Sequence, residues 1–430
     1  MKKVLIISYY WPPTGGSGVQ RWVKFTKYLP SMGWQPVIYT PENPEQLAVD
    51  ESLLKEIPEG TEVIRTHITE PYEMYRRLFG KGQKSQINPI NSGSKTFKQS
   101  LSLWIRGNFF IPDPRCWWVR PSVKFLKEYL KEHPVDAIVT TGPPQSMHLI
   151  GKALHRELGT PWIADFRDPW TKMYYFKHLG LWPLARFIHR KMEQAVLDEA
   201  SAVIAVTPMV QADFQAQTST PVALITNGYD IPDFPEAKPL AADREYFTIV
   251  HTGLLASDGN PLELWNVLLR KCFDRKEFRH KLKIKLIGKV DPEIIESIEI
   301  FGLGPNLENM GYLPHDRTIE EQRNADMLIL PLRQDEEYRK AYPGKIFEYL
   351  AARRPVLGIG QEDSVSAELL RSTGAGDMYD WDKDYSIRKF VDREWDRFLA
   401  GDGAPVGSDI SAYSREALTA KLVDLLNGLS

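Results

Sequence analysis

Pro343-Gly344-Lys345-Ile346-Phe347-Glu348-Tyr349-Leu350-Ala351-Ala352-Arg353-Arg354-Pro355 is the stretch on which the reading of this chain turns. An apolar run at 325–330 precedes it and reads as a strand, so the stretch opens a short helix with Gly344 and Lys345 in its first turn. Glu348 follows three residues on, on the same helical face as Lys345. The start of a helix presents N–H groups without partners and the positive end of the dipole, which suits a phosphate. Lys345 adds a full charge there, and a Glu348 carboxylate accepts hydrogen bonds from a ribose or sugar hydroxyl. The combination predicts a site for a nucleotide carrying a sugar.

Outward from this stretch, short apolar runs alternate with helical patterns over most of the chain. In the second half the expected strands are 247–250, 282–287, 327–330 and 356–359, with helices at 262–272, 292–301, 319–325, 367–372 and 385–399. In the first half the strands are 4–8, 36–39, 137–140, 162–164, 202–206 and 222–225, with helices such as 19–32, 145–158 and 182–199. Buried apolar strands alternating with helices indicate doubly wound parallel sheets. Between the halves, residues 227–239 (NGYDIPDFPEAKP) read as a linker, rich in proline and acids. The tail 413–429 places Leu418, Leu422, Leu425 and Leu426 on one side and must pack on something.

The bulk numbers fit two globular domains. A chain of 430 residues exceeds one ordinary core, and 43% apolar with 26% charged residues is usual for a folded soluble protein. A formal charge of −2 gives no reason to expect nucleic acid. Cys116 and Cys272 are far apart and outside any CxxC, which argues for a reducing compartment and against a cysteine-based zinc site. The apolar start ends at Ser8, too short for a signal peptide, and no run reaches the roughly 20 apolar residues of a bilayer span. The expectation is a cytoplasmic protein.

Several strand ends carry candidate chemistry. After the first strand comes Ser8-Tyr9-Tyr10-Trp11-Pro12-Pro13-Thr14-Gly15-Gly16-Ser17-Gly18-Val19-Gln20-Arg21, a glycine turn leading into a helix. Its GGxG spacing is not the GxGxxG of a nicotinamide-cofactor turn; it reads as a glycine loop facing a cleft, or else a flexible surface loop. Strand ends in α/β sheets gather ligands. His148, Asp165, Arg167 and Asp168, behind two adjacent strands, therefore form a candidate acceptor pocket. There His148 would share a proton near neutrality and a carboxylate would orient a hydroxyl. The alternatives are a single structural hydrogen bond for His148 and a local ion pair for the acids and arginine. In the second half, Gly253 and Gly288 permit close backbone approach, and Lys289 either reaches a pyrophosphate or is an ordinary exposed lysine. Without DxD, HExxH or a His/carboxylate pair at strand-end spacing, no metal is expected, and neither a P-loop nor a GxSxG elbow is present.

Residues 72–125 depart from the pattern. They hold ten basic residues against Glu73 and Asp113, interleaved with Tyr75, Phe79, Trp104, Phe109, Phe110, Trp117 and Trp118. This is either a surface for anionic lipid headgroups with aromatics entering the interface, or a long insertion whose aromatics pack while its charges stay solvated.

Taken together, GGSGVQR, IADFRDPW, TNGYD, HTGLL and PGKIFEYLAARRPVL make the chain resemble the family-four glycosyltransferases of the GT-B fold, of the kind that build bacterial surface glycans. The resemblance implies an α/β protein of two Rossmann-like, doubly wound parallel-sheet domains facing across a cleft. The first would span 1–228, with a helix at 411–430 crossing back, and accept; the second would span 229–410 and hold the donor. It implies a metal-independent, retaining hexosyltransferase of polysaccharide biosynthesis. The sugar would pass from a nucleotide-diphosphate donor, a co-substrate and not a cofactor, to a hydroxyl of a glycan or lipid-linked acceptor. Carried over by motif, Gly16 and Gly18 would lie against the donor phosphates or the transferred sugar, and Gly253 would mark the phosphate-facing turn. Gly344 and Lys345 would bind the diphosphate, Glu348 the ribose, and Tyr312 and Leu313 the base through their backbone. His148 and Asp168, with Arg167, would flank the reacting sugar and acceptor. The basic segment would hold the enzyme peripherally at the inner face of the membrane.

Two departures stand against the family pattern. After Gly253 the family often places an Arg and a Lys; here the stretch is Leu254-Leu255-Ala256-Ser257-Asp258-Gly259-Asn260. The acid eight positions before Glu348 is replaced by Lys340. Lys345, Lys340, Arg339 or Lys289 would have to supply the charge. Failing that, the alternatives are a catalytically silent nucleotide-sugar-binding subunit or a sugar-nucleotide epimerase on the same fold. A nicotinamide-dependent enzyme fails on the glycine spacing, although Glu42 imitates its ribose acid.

Overall fold

The computed structural model describes residues 1–45, 49–69 and 97–429, and the chain divides into two compact units. One unit comprises Met1–Asn227 with Arg415–Ser430; the other is Gly228–Ser414. The part of the basic and aromatic segment at 72–96, with Tyr75 and Phe79, lies outside the described residues.

In the first unit seven parallel strands lie in the order β3-β2-β1-β4-β5-β6-β7. They are β1 (Lys2–Ile7), β2 (Trp34–Pro41), β3 (Glu62–Thr66), β4 (Ala137–Gly142), β5 (Trp162–Phe166), β6 (Ala202–Ala205) and β7 (Val222–Leu224). Alternation along β1 divides its side chains between two cores. Leu5 and Ile7 pack on the face holding Trp118, Trp162 and Phe166; Val4 and Ile6 pack on the face holding Trp22 and Trp34. The second face is covered in part by the helix Arg415–Leu429, which buries Leu418, Leu422 and Leu426 against it. Each such leucine contributes about 1.5–3 kcal/mol.

The second unit is a six-stranded parallel sheet in the order β10-β9-β8-β11-β12-β13. Its strands are β8 (Phe247–Thr252), β9 (Leu282–Ile287), β10 (Leu307–Gly311), β11 (Met327–Pro331), β12 (Val356–Ile359) and β13 (Gly376–Tyr379). Here too Ile249 and Val250 on β8 point into opposite cores. In both sheets the strand order reverses once, between β1 and β4 and between β8 and β11. Loops after these strands diverge to opposite faces and leave a crevice, the usual seat of ligands.

The expected strands are all present, and three more exist: β3, β10 and β13. All three are sheet edges, and their side chains are mostly half-buried or exposed. These three edges carry no continuous apolar run and so are silent where a central strand is loud; the fourth edge, β7, keeps a short apolar run and was expected.

Candidate functional site

In the second unit the crevice has a floor of glycine. Gly253, Gly288 and Gly311 stand at the ends of the neighbouring strands β8, β9 and β10, all with positive φ (88°, 109° and 62°). A Cβ on Gly288 would stand 2.6 Å from the Gly253 carbonyl oxygen, so a side chain there would push the two strand ends apart. Across this floor lies Lys345. A Cβ on Gly253 would meet its Cε and Nζ at 3.3 Å. The ammonium donates to His251 Nε2 at 3.1 Å and to the Leu254 carbonyl at 3.2 Å.

His251 explains why the lysine stays there. Its ring is fully buried and its Nδ1 contacts the Ile329 carbonyl at 3.2 Å. A carbonyl only accepts, so Nδ1 carries the proton and Nε2 offers a lone pair to Lys345. Burial, then the charge of Lys345, hold the imidazole well below its usual pKa and keep it neutral. Burial likewise brings Lys345 down to about 7, against the opposing pull of Glu348. Lys345 occupies the N-cap position of the helix Ile346–Ala352, not its first turn. That helix has only seven residues, so the local positive charge comes from the side chain and not from a macrodipole.

Glu348 is partly buried one turn along, and its Oε2 accepts from Gln322 Nε2 at 3.1 Å. The same amide donates to Thr252 Oγ1 at 3.1 Å, and the Thr252 N–H donates to the Tyr349 hydroxyl at 2.9 Å. This chain ties the end of β8 to the helix and fixes the Glu348 rotamer. Beyond Gly311, Tyr312 is 82% exposed and Leu313 half-buried; Gly344 and Lys289 are exposed.

The loop after Gly253, which has no basic residue of its own, is tied to a cation from elsewhere in the sheet. Asp258, the acid in that loop, is gripped by Arg333 Nε at 2.7 Å and Nη2 at 2.6 Å. Arg333 arrives from the end of β11, on the other side of the strand-order reversal. The loop Leu254–Asn260 is thus held between Lys345 at Leu254 and Arg333 at Asp258. Of the other cations expected to help, Arg339 pairs with Asp363 at 3.2 Å.

The first unit presents a second set of strand-end groups. Asp165 is fully buried at the end of β5 and takes four hydrogen bonds: Arg21 Nε at 3.3 Å, Arg21 Nη2 at 3.0 Å, Trp22 Nε1 at 2.8 Å and Thr141 Oγ1 at 3.0 Å. Contrary to its place in the expected acceptor pocket, this carboxylate has no lone pair facing solvent. It anchors the helix Ser17–Tyr28, and Arg21 extends the anchor to the carbonyls of Ile225 and Thr226. The glycine loop is thereby pinned beside Arg167. A Cβ on Gly18 would stand 1.4 Å from Arg167 Nη1, so the guanidinium fills the space that glycine leaves. Arg167 bonds the Gly142 carbonyl at 3.3 Å and the Pro143 carbonyl. Asp168 is half-buried beside it; burial pushes its carboxyl up while Arg167 pulls it down. Gly16, at φ 116°, has open space where a Cβ would go.

His148 is fully buried and lies on the Phe166 ring at 4.5 Å. Burial drives its pKa down to about 3, so the expected sharing of a proton near neutrality does not hold. Trp162 Nε1 donates to Thr140 Oγ1 at 2.8 Å, and that hydroxyl lies 2.8 Å from His148 Nδ1. The Thr140 hydroxyl thus links the indole to the imidazole and fixes the plane of the His148 ring. Nε2 has no partner among the described residues, nor have the two polar atoms of the Gln145 side chain. What His148 offers near the end of β4 is a neutral imidazole with Nε2 uncommitted.

Arg21, His251, Gln322 and Arg333 join the candidate residues only in the folded structure. The first two lay inside quoted motifs; no local signal marked the others. Among the described residues no group of three or more His, Cys, Asp or Glu side chains is placed to hold a metal ion. No helix among them is long and apolar enough to cross a membrane.

Residues 91–232 match the family model described as Glycosyltransferase Family 4. No curated protein sequence matches. Among solved structures the chain is similar to the Anabaena protein HepE, solved in complex with UDP-glucose (TM-score 0.61, 14% identity, all of both chains covered). It is also similar to the sucrose-phosphate synthase of Thermosynechococcus elongatus (TM-score 0.58, 13% identity, 100% of this chain and 95% of that one). A third is WaaG, a glycosyltransferase involved in lipopolysaccharide biosynthesis (TM-score 0.53, 14% identity, 99% and 95%). At such identities the likeness carries the fold, which is GT-B.

Proposed function

We propose that this protein is a glycosyltransferase that moves a sugar with retention of configuration and without a bound metal; the family 4 segment at 91–232 and the GT-B fold support the reading. The donor is a nucleoside-diphosphate sugar held by the second unit. The acceptor is a hydroxyl of a glycan or lipid-linked glycan met by the first, at the cytoplasmic face of a membrane. The observation that carries the reading is Lys345 lying across Gly253, held by a neutral His251.

In this reading the diphosphate rests on the glycine ends of β8 and β9, where no side chain intervenes. The Lys345 ammonium meets the charge that develops on it as the glycosidic bond breaks. With a pKa of about 7 the Lys345 side chain is part amine in the free protein, and the arriving diphosphate draws it fully to the ammonium. Arg333 holds the loop in place through Asp258, and Lys345 is the cation that meets the diphosphate. Glu348 gives Oε2 to Gln322 and keeps its other oxygen for the ribose hydroxyls. On the acceptor side His148, as a neutral imidazole, and Arg167 with Asp168 are the strand-end groups of the first unit that meet the acceptor. The acceptor hydroxyl attacks from the face the diphosphate leaves, and a phosphate oxygen takes its proton. A protein base is unnecessary in such a path, which suits a histidine that stays neutral.

The test is a titration of the protein with UDP-, GDP-, ADP- and TDP-sugars in EDTA, following thermal stability and release of free nucleotide. A stabilising sugar nucleotide that is slowly hydrolysed supports the reading and names its donor. If none shifts the melting temperature, the donor site is misassigned.

A further inference from the structure

We infer that a cavity in the second unit, set apart from the glycine floor, binds a sugar monophosphate. The cavity has a volume of about 690 Å³, within the range of small-molecule sites. One wall is the helix His315–Arg323, and the other is the proline-rich stretch 232–241. Lys238, Arg323 and Arg354 line one end of it.

Arg354 decides the chemistry. It is 4% exposed, and its three hydrogen bonds all go to backbone carbonyls: Nε to Arg323 at 2.6 Å, Nη1 to Gly403 at 3.0 Å and Nη2 to Lys238 at 2.8 Å. Among the described residues no carboxylate bonds it. Asp326, which offsets part of its charge from a distance, is taken by Arg244 and by the Thr248 N–H. Arg323 repeats the pattern, donating only to the Glu236 carbonyl at 3.0 Å, and the Lys238 ammonium has no partner among the described residues. The Glu320 carboxylate on the same wall accepts from Arg317 at 2.7 Å. Carbonyls satisfy the N–H groups of a buried guanidinium but leave its net charge unopposed, which is costly. Three such cations, tied together through the Arg323 and Lys238 carbonyls, make a socket for a doubly charged oxyanion, and the guanidinium fork matches phosphate.

A phosphate alone leaves most of the cavity over. Toward the start of the helix the lining changes to Asp233, His315 and Asp316, with His315 Nε2 at 3.7 Å from Asp233 Oδ2. Carboxylates accept from hydroxyl groups, and Ile319 gives the C–H face of a ring an apolar flank. A ligand charged at both ends would meet these acids with repulsion; a polyol carrying one phosphate satisfies both ends. The donor floor is a different place. Arg323 and Arg354 shortly precede β11 and β12, at the amino ends of the strands, whereas Gly253, Gly288 and Gly311 stand at carboxyl ends. The two sites share no residue.

The test is calorimetric titration of the full chain with glucose 6-phosphate, glucose 1-phosphate and fructose 6-phosphate, against inorganic phosphate and glucose. At least one sugar phosphate should bind more tightly than inorganic phosphate, and glucose should not bind. Lys238→Ala and Arg323→Ala should each weaken that binding about tenfold or more. Lys345→Met, which disables the donor floor, should leave it unchanged. Because Lys238 is exposed and Arg323 half-buried, both variants should stay folded and bind sugar nucleotides as the wild type does. Failure of every sugar phosphate to bind overturns the inference. Equal affinity for inorganic phosphate also overturns it and would mark an adventitious ion only. So does binding that Lys345→Met abolishes, or that neither cation variant weakens. Lys345 and sugar nucleotides read the donor floor, Lys238 and sugar phosphates read this cavity, so the two proposals fail separately.

Discussion

Replacing Lys345 with methionine keeps an apolar stem over Gly253 and removes the ammonium. A hydrogen bond to a charged group contributes about 1.5–3 kcal/mol, so the donor dissociation constant should rise roughly 10- to 150-fold. The structure adds a sharper requirement. Burial brings Lys345 to about 7 in the free protein, so the free ammonium is already being lost near neutrality. If only the charged form receives the diphosphate, affinity should be level below about pH 6 and fall roughly tenfold per pH unit above 7. The sugar nucleotide itself does not titrate in this window, since its diphosphate is esterified at both ends. His251 does not either, because burial keeps it neutral. Calorimetric titration in buffers of different ionisation enthalpy would read the second consequence, uptake of nearly one proton on binding at about pH 8. The methionine variant should bind weakly, with a flat profile and no proton uptake. A flat wild-type profile between about pH 6 and 9, or wild-type affinity in the variant, would refute the assignment of Lys345.

Three further outcomes test the frame around the site. Asp165→Asn preserves shape but leaves the Arg21 charge buried without its counterion; it should cost about 3–5 kcal/mol, read as a lower urea midpoint. Gly18→Ala puts a methyl where Arg167 Nη1 now lies. Transfer should fall roughly tenfold or more while sugar-nucleotide binding holds, and equal turnover would show that Arg167 is not needed where it stands. Leu422→Ala removes a fully buried side chain from the helix that covers Trp22 and Trp34, and should cost about 2–5 kcal/mol in chemical unfolding.

The central strands were legible because each is an apolar run buried on both faces, as Val4 to Ile7 and Leu328 to Leu330 show. The edges β3, β10 and β13 were not, since residues such as the exposed Glu62 and the half-buried Glu308 follow no such rule. In the site, Gly253, Lys345 and Glu348 could be read because glycine, lysine and glutamate announce themselves by local spacing. Their supports could not. His251 and Lys345 are 94 residues apart in sequence, Arg333 and Asp258 75, and Arg21 and Asp165 144. Pairings of that separation exist only once the sheet order brings two loops together. Asp165 was misread for the same reason: an acid at a strand end looks like a ligand-binding group until its four donors are known.

The helix Arg415–Leu429 has a consequence for how the protein is made. The strands of the first sheet are complete once Leu224 has been synthesised, yet the leucines that cover Trp22 and Trp34 are encoded only after Ser414. At ordinary translation speeds of about 5–20 residues per second, the intervening segment takes on the order of ten seconds or more to emerge. Through that interval an apolar face stands uncovered on a tethered, half-finished chain. Ribosome-associated chaperones would find their site there, and translation that stalls within 228–414 would release a fragment prone to aggregate.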